Sequence, residues 1–164
     1  MVVLPGLVGV ELRPRRDDDR PFLERLYAST RADEMTLLDW PAEEKSAFLA
    51  MQFEAQTQHY DEHYADAEFL VVERDGLPIG RLYLQRREDE IRVVDIALLP
   101  EARRGGIGGR LLKRVLDEAD ETGRVVRIHV ERNNPAMVLY QRLGFRKIDD
   151  LGVYHLMEWT PAES

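Results

Sequence analysis

The chain has 164 residues, enough for one domain with a sizeable core but too few for two ordinary domains. Its 44% apolar and 33% charged residues exclude an intrinsically disordered polypeptide. It contains no cysteine, which excludes disulfides, thiolate metal sites and a cysteine nucleophile. We therefore expect a single domain over residues 1–164 and a cytoplasmic location.

The opening segment MVVLPGLVGV is apolar, but it is short, contains Pro5 and has no basic stretch before it. No other segment approaches the ~18 apolar residues that a membrane-spanning helix requires. We expect neither a signal peptide nor a membrane-embedded part.

The net charge of −8 is unevenly distributed. Residues 1–90 carry 11 basic and 20 acidic side chains, whereas residues 91–164 carry 12 and 11. No acidic residue lies between Glu101 and Asp117. That stretch holds five basic residues: Arg103, Arg104, Arg110, Lys113 and Arg114. An acidic protein with one basic loop favours a small anionic ligand at that loop over a nucleic-acid surface, which needs a broad basic stripe.

The first part of the chain predicts a strand followed by two helices. Residues 10–14 form a short strand pattern, and Asp17–Asp19 offer N-cap residues for an amphipathic helix after it. Trp40-Pro41 begins a second helix, which we expect to continue to about Tyr64.

The middle of the chain predicts three strands. Two apolar runs flank Asp75-Gly76, a dipeptide typical of hairpin turns. Residues 91–100 (IRVVDIALLP) form a further strand, apolar enough to be buried on both faces.

The last part predicts two helices and three strands. Apolar side chains fall on one face of a helix over residues 107–122, which ends near Gly123, and residues 124–131 form a strand. Asn134-Pro135 caps a short helix closed by Gly144. The segments FRKIDD and VYHLMEW finish the chain as strands.

The glycine-rich segment RRGGIGG, residues 103–109, lies between the strand 91–100 and the helix 107–122. A right-handed crossover places the strands 91–100 and 124–131 in parallel, so the loop joins a strand's carboxyl end to a helix's amino end. Glycines allow close approach to the backbone, and the helix N-terminus adds roughly half a positive charge. We expect a pyrophosphate ligand there.

Two familiar phosphate loops fit this segment badly. A nucleoside-triphosphate loop needs Gly-Lys followed by Ser or Thr, but Gly109 is followed by Arg110 and Leu111. The dinucleotide fingerprint would require a glycine at Leu111.

Two motifs resemble the GCN5-related N-acetyltransferases. The family's acyl-CoA loop, Gln/Arg-x-x-Gly-x-Gly/Ala, is matched by Arg103, Gly106 and Gly108. A second family segment, Asn-x-x-Ala-x-x-Leu-Tyr followed by Gly-Phe, is matched by Asn133, Ala136, Leu139, Tyr140, Gly144 and Phe145. The resemblance implies a mixed α/β (α+β) fold, with a mostly antiparallel sheet flanked by helices and a central parallel strand pair splayed at the acyl-CoA site. Residues 67–159 would form the acyl-CoA-binding core, and residues 1–66 the variable acceptor side.

The resemblance also implies an acetyl-CoA-dependent N-acetyltransferase without a metal, in which Tyr140 is the general acid. The resemblance also implies that the thioester oxygen of acetyl-CoA faces the backbone N–H of Leu98. The implied cofactor-binding residues are Leu98, Leu99, Arg103, Arg104, Gly105, Gly106, Ile107, Gly108, Gly109, Arg110, Asn133, Tyr140 and Arg142. Arg142 either reaches the 3′-phosphate of the cofactor or is a solvated surface residue.

The general base remains open at the level of sequence. Some branches of the family use a glutamate whose position corresponds to Ile128 here. Asp95, His129 and Glu131 are nearby alternatives, as is a chain of water molecules.

A competing motif, H-x-x-E-H, is formed by His59, Glu62 and His63 and resembles the inverted zinc-protease pattern. The alternative is an ordinary amphipathic helix. Its polar stripe would consist of Gln52, Gln56, His59 and His63, either solvated or lining the acceptor cleft. Its buried stripe would consist of Leu49, Phe53, Tyr60 and Tyr64. A third possibility is an acyl-CoA-binding protein without catalysis.

The acidic balance of residues 1–90 is compatible with a cationic acceptor, such as a small-molecule amine or a peptide amine. We expect no nucleic-acid or membrane partner. By analogy with the family, pairing of C-terminal strands into a homodimer is a reasonable expectation.

Overall fold

The computed structural model describes residues 2–3 and 7–162, and their strands form one eight-stranded sheet in the order β1-β2-β3-β4-β5-β6-β8-β7. The strands are β1 (Val2–Val3), β2 (Val10–Pro14), β3 (Glu68–Arg74), β4 (Leu77–Arg86), β5 (Glu90–Leu98), β6 (Val125–Glu131), β7 (Arg146–Asp150) and β8 (Tyr154–Trp159). The helices are α1 (Arg20–Thr30), α2 (Ala32–Thr36), α3 (Ala42–His63), α4 (Ile107–Thr122) and α5 (Met137–Arg142).

The sheet is mixed, as the sequence predicts. Strands β5 and β6 are parallel and joined through α4, whereas every other neighbouring pair of strands in the described chain is antiparallel. The predicted mostly antiparallel sheet with a central parallel pair is therefore confirmed. The hairpin between β3 and β4 turns at Asp75 and Gly76, which both have positive φ, 53° and 82°.

Two apolar clusters lie on opposite faces of the sheet. The larger one is formed by α4, α5 and the sheet face beneath them, with Leu111 and Leu112 of α4 almost fully buried. The smaller one packs α1 and α3 on the other face, through Leu26 and Phe53. Helix α4 forms over the residues predicted for it because its apolar side chains recur at helical spacing, and Gly123 at φ 67° ends it.

The parallel pairing of β5 and β6 is short. It covers Glu90–Val93 against Val125–Ile128. Beyond that point β5 continues to Leu98 paired with β4, and β6 continues to Glu131 paired with β8. The two strands therefore splay apart over their carboxyl-terminal halves. The β4–β5 register shifts at the same level, which leaves Val94 as a bulge residue.

Three local details refine the predicted elements. Residues 17–19 form a short 3₁₀ turn before α1, and the Asp19 carboxylate accepts bonds of 2.8 and 2.7 Å from the buried Arg13 guanidinium. The predicted strand 91–100 ends at Leu98, because a 3₁₀ turn follows over Pro100–Ala102. Helix α5 begins at Met137 rather than at Pro135. The Asn134 side chain nevertheless accepts a hydrogen bond from the Ala136 N–H, as an N-cap residue does.

None of the helices in the described residues is long and apolar enough to cross a membrane.

Candidate active site

The glycine-rich loop, residues 103–109, has an unusual backbone that leads directly into α4. Arg104 and Gly106 both adopt left-handed conformations, with φ of 65° and 83°. A side chain at Gly105 or Gly106 would meet no protein atom within 4 Å. The loop backbone is therefore open to a ligand on that side, while Ile107 is buried and fixes the start of the helix.

The charge and shape of this loop fit a diphosphate group. Arg103, Arg104 and Arg110 are all exposed around it. The amino end of the 16-residue helix α4 adds its partial positive charge and unpaired N–H groups at the same place. Gly108 and Gly109 face Leu98 and Leu139, so the inner side of the loop packs against β5 and the start of α5.

The end of β5 presents backbone groups to the gap between the splayed strands. The Leu99 N–H donates a 2.8 Å bond to the Ile79 carbonyl. Leu98, opposite Gly80, is therefore a non-hydrogen-bonded position of the antiparallel ladder, so that its N–H and C=O point away from β4. The carbonyl of Leu98 accepts a 3.0 Å bond from Arg103 Nε instead. Of the two backbone positions that the sequence suggests, Leu98 faces the gap, whereas the Leu99 N–H is already engaged.

Gly80 permits this close approach of β4 and β5. A Cβ at Gly80 would lie 2.4 Å from the Ala97 carbonyl oxygen, which no real side chain tolerates. Gly80 was not predicted as part of the site, because a glycine within a strand pattern indicates a close backbone approach but does not identify the neighbouring group.

Tyr140 lies on α5 and is buried, with its ring 5.7 Å from that of Phe145 in an edge-to-face contact. Burial raises the pKa of its phenol, and the nearby Asp95 carboxylate raises it further. The phenol is therefore held in its protonated form. Asn133 and Arg142, before and at the end of α5, are exposed.

The three base candidates occupy different surroundings. Glu131 accepts a 2.8 Å bond from Arg31 and is bound across to the end of α1. His129 lies 3.3 Å from an Arg92 nitrogen, and partial desolvation of its ring together with that positive charge lowers its pKa. Asp95 is on β5, directly after the bulge where the strands separate.

Asp95 is the centre of a polar network that links the sheet to α3. Its Oδ2 accepts a 2.9 Å bond from the Tyr60 hydroxyl and a 2.5 Å bond from Arg81 Nη2, and neither bond uses Oδ1. The same Arg81 nitrogen donates to Gln56 at 2.9 Å. The charge of the partly buried Asp95 also raises the pKa of Tyr140. Asp95 therefore interacts with a residue of α5 as well as with residues of α3.

Neither Tyr60 nor Arg81 was predicted as a site residue from the sequence. Tyr60 fits the predicted buried stripe of α3, and its hydroxyl partner is 35 residues away in the chain. Arg81 lies between the core residues Ile79 and Leu82 in a strand otherwise rich in apolar residues, which is the signal that could have indicated a buried charge.

Helix α3 divides its predicted polar stripe between two environments. Gln52 and Gln56 bond inward, to Tyr27 and Arg81. His59 and His63 are exposed, and their rings lie beside each other with centroids 4.6 Å apart and planes tilted by 45°. Across residues 2–3 and 7–162, no three histidine, cysteine or carboxylate side chains come together as a metal site.

Comparison with protein families gives one match that covers half of the chain. Residues 65–147 match the model of the acetyltransferase (GNAT) domain. These residues include β3 to β6, the glycine-rich loop and Tyr140.

Curated relatives match over part of their length. An N-alpha-acetyltransferase of Sulfurisphaera tokodaii is 30% identical over 115 residues, which cover 60% of this chain and 66% of that protein. The UPF0157 protein YqkA of Bacillus subtilis is 27% identical over 96 residues, 54% of this chain and 28% of that protein. The chain thus spans less than two thirds of each relative.

Among solved structures, the PaiA N-acetyltransferase of Thermoplasma acidophilum, determined in complex with coenzyme A, shares the fold. It superposes with a TM-score of 0.70 at 20% identity, over 92% of this chain and 98% of that one.

Proposed function

The chain belongs to the GNAT acetyltransferase family, and we propose that it is an acetyl-CoA-dependent enzyme that transfers an acetyl group to a primary amine by direct attack. One observation carries this proposal: the splay of β5 from β6 after Val93 opens onto Leu98, the glycine-rich loop and the buried Tyr140. In this proposal the glycine-rich loop binds the cofactor and Tyr140 donates the proton, on either side of that gap.

The residues of the loop would hold the diphosphate of the cofactor. The N–H groups of Gly105 to Gly109 and the charges of Arg103 and Arg104 are the donors available there. The outward N–H of Leu98 and the exposed Asn133 would bind the pantetheine arm and the acyl oxygen. Arg142 stays a candidate for the 3′-phosphate. When bound, acetyl-CoA supplies an acetyl group activated as a thioester.

Tyr140 would donate the proton that the leaving thiolate needs. A buried phenol with a raised pKa stays protonated at neutral pH, so the donor is ready whenever the thiolate forms. Its position on α5 follows from the Leu-Tyr…Gly-Phe segment, whose Phe145 packs against the ring.

Among the base candidates, we propose Asp95 as the group that accepts the proton of the attacking amine. It lies next to the splay, its Oδ1 is not used by Tyr60 or Arg81, and its charge acts on Tyr140. Glu131 is held by Arg31, and the ring of His129 faces Arg92. Asp95 is itself held by Arg81, but of the three candidates it is the one whose charge acts on the pKa of Tyr140, and we propose it for this reason.

The acceptor is proposed as a small-molecule or peptide amine. The acidic balance of residues 1–90 favours a cationic amine. The similarity to an N-alpha-acetyltransferase adds the α-amine of a peptide to the candidates. The homodimer expected from the sequence would use β7, which lies at the edge of the described sheet.

The decisive test is release of free CoA from acetyl-CoA in the presence of a panel of amines, followed with a thiol reagent. The chain has no cysteine, so every thiol detected belongs to CoA. We expect amine-dependent release by the wild type and strongly reduced release by Tyr140→Phe. Binding of acetyl-CoA without release for any amine would instead indicate an acyl-CoA-binding protein.

A further inference from the structure

A cavity of about 290 Å³ lies on the α1 and α3 face of the sheet, and no residue of the glycine-rich loop lines it. Four of its lining residues are arginines: Arg15, Arg16, Arg20 and Arg81. Two are acids, Asp17 and Asp61, and Thr57 of α3 contributes a hydroxyl. Arginine therefore dominates the polar lining of this cavity.

Two of these arginines are already paired at the surface. Arg20 binds the carboxylates of Glu24 and Glu54, and Arg16 lies 3.1 Å from Asp18. Their charges are compensated locally, so they add little to the attraction of a ligand. Two groups remain in the interior: the Arg15 guanidinium, and the Nε of Arg81, which the pair of Arg81 with Asp95 leaves without a hydrogen-bond partner among the described residues.

Arg15 is held in place by aromatic rings rather than by a close ion pair. Its guanidinium lies 4.1 Å from the centroid of Phe69 and 5.6 Å from that of Tyr83. The nearest carboxylate, of Asp61, is 3.7 Å away, beyond good hydrogen-bond distance, and is largely exposed. The stacked guanidinium thus keeps N–H donors for another acceptor.

Arg81 supplies a buried and incompletely bonded donor. Only 3% of the residue is exposed. Its Nη2 binds Asp95 and Gln56, but among the described residues its Nε has no hydrogen-bond partner. A buried, charged N–H without an acceptor is costly, and such groups are normally satisfied. Arg81 also lines the cavity, so an acceptor that enters the cavity lies beside this buried guanidinium.

We propose that this cavity binds a small oxyanion, a carboxylate or a phosphate group, between Arg15 and Arg81. The planar guanidinium groups match the oxygens of either anion. The volume of about 290 Å³ accommodates such a group.

The position of the cavity couples it to the acetyl-transfer site. Arg81 and Tyr60 line it and also bind Oδ2 of Asp95. The same oxyanion group could come from two kinds of molecule. It is either an acidic group of the acceptor, whose amine then reaches Asp95, or a free anion.

The first experiment is thermal denaturation with increasing inorganic phosphate, at an ionic strength kept constant with chloride. We expect a saturable rise of the melting temperature, roughly 5–10 °C at 100 times Kd for a chain of this size. Because no acetyl transfer is measured, the result does not depend on the proposed function.

Three variants locate the binding. Arg15→Gln removes the stacked charge and should abolish most of the rise, whereas Arg132→Gln, which removes an exposed arginine paired with Asp150, should leave it unchanged. Arg103→Ala weakens any phosphate binding at the glycine-rich loop. A rise that persists in Arg15→Gln, or that is lost only in Arg103→Ala, overturns the proposal, as does the absence of any saturable rise.

A second arm compares butyrate with 4-aminobutyrate in the same measurement. Stabilisation by both to the same extent indicates that the cavity takes a free anion. Stronger stabilisation by 4-aminobutyrate indicates that the anion belongs to an amine acceptor, because the added ammonium group would lie near Asp95. In either case the rise should be lost in Arg15→Gln.

Discussion

The Nε of Arg103 lies 3.0 Å from the carbonyl oxygen of Leu98 and joins the first residue of the glycine-rich loop to the strand end beside the splay. The loop and the strand end are therefore positioned together rather than independently. A ligand that binds both would meet Arg103 at their junction.

Replacement of Arg103 by alanine tests that junction. We expect acetyl-CoA to bind about 10- to 100-fold more weakly, because a hydrogen bond to a charged group contributes about 1.5–3 kcal/mol. Calorimetric titration with acetyl-CoA measures the change. Lys113→Ala is the control, since Lys113 is exposed on α4 and pairs with Asp117. Equal affinities in the two variants would remove Arg103 from the site.

Gly106 and Gly105 form a matched pair for the loop backbone. Neither position has a protein atom within 4 Å of an added Cβ, but only Gly106 has a left-handed φ, 83°. Gly106→Ala should lower the free energy of unfolding by about 1–3 kcal/mol through backbone strain, and Gly105→Ala should not. Urea denaturation without ligand checks this. With acetyl-CoA, both variants should bind more weakly, because the added methyl occupies the ligand side of the loop.

The helices and strands were predictable from the sequence where a local residue pattern determines their type and ends. Helix α4 occupies residues 107–122 as predicted, since amphipathic spacing and Gly123 fix both of its ends. The network around Asp95 was not predictable, because Tyr60 and Arg81 reach it from 35 and 14 residues away. The bulge at Val94 likewise depends on the register of β4 against β5, which sequence periodicity alone does not specify.

Tyr140→Phe removes the hydroxyl of the proposed proton donor and keeps the ring against Phe145. We expect kcat to fall on the order of 10²-fold while the Kd of acetyl-CoA stays unchanged. Because burial raises the pKa of Tyr140, the wild type should keep its activity as pH rises towards 10, where an ordinary tyrosine would deprotonate. A kcat for Tyr140→Phe equal to that of the wild type would remove Tyr140 from the mechanism.

Asp95→Asn keeps the size of the side chain and removes its charge. If Asp95 accepts the proton of the amine, kcat should fall about 10²- to 10⁴-fold with little change in the Kd of acetyl-CoA. Because Arg81 loses its buried counter-ion, the variant should also be less stable, so activity is measured well below its melting temperature. Tyr60→Phe removes one bond to Oδ2 and keeps the carboxylate, and should reduce kcat far less. Similar losses in both variants would indicate a structural role for Asp95.

Asp19 ties the start of α1 to β2 through its buried pair with Arg13. The bonds from Arg13 lower the pKa of Asp19, as does the Arg16 N–H at 2.7 Å. A carboxylate whose pKa is lowered by folding stabilises the folded state fully at pH values above its pKa in the unfolded chain, about 3.9. This stabilisation is lost as pH falls through the pKa in the folded protein. Asp19→Asn should therefore cost about 3–5 kcal/mol of unfolding free energy at pH 7.

The difference in unfolding free energy between the wild type and Asp19→Asn should shrink as pH drops below about 4, because the unfolded Asp19 then takes up a proton, and it should disappear once pH is below the lowered pKa of the folded Asp19. Urea denaturation of both proteins between pH 7 and pH 3 measures it. The control is Asp18→Asn, whose carboxylate pairs with Arg16 at the surface and should contribute about 0.5 kcal/mol or less. A difference for Asp19→Asn that stays constant down to pH 3 would mean that the charge of Asp19 does not anchor α1.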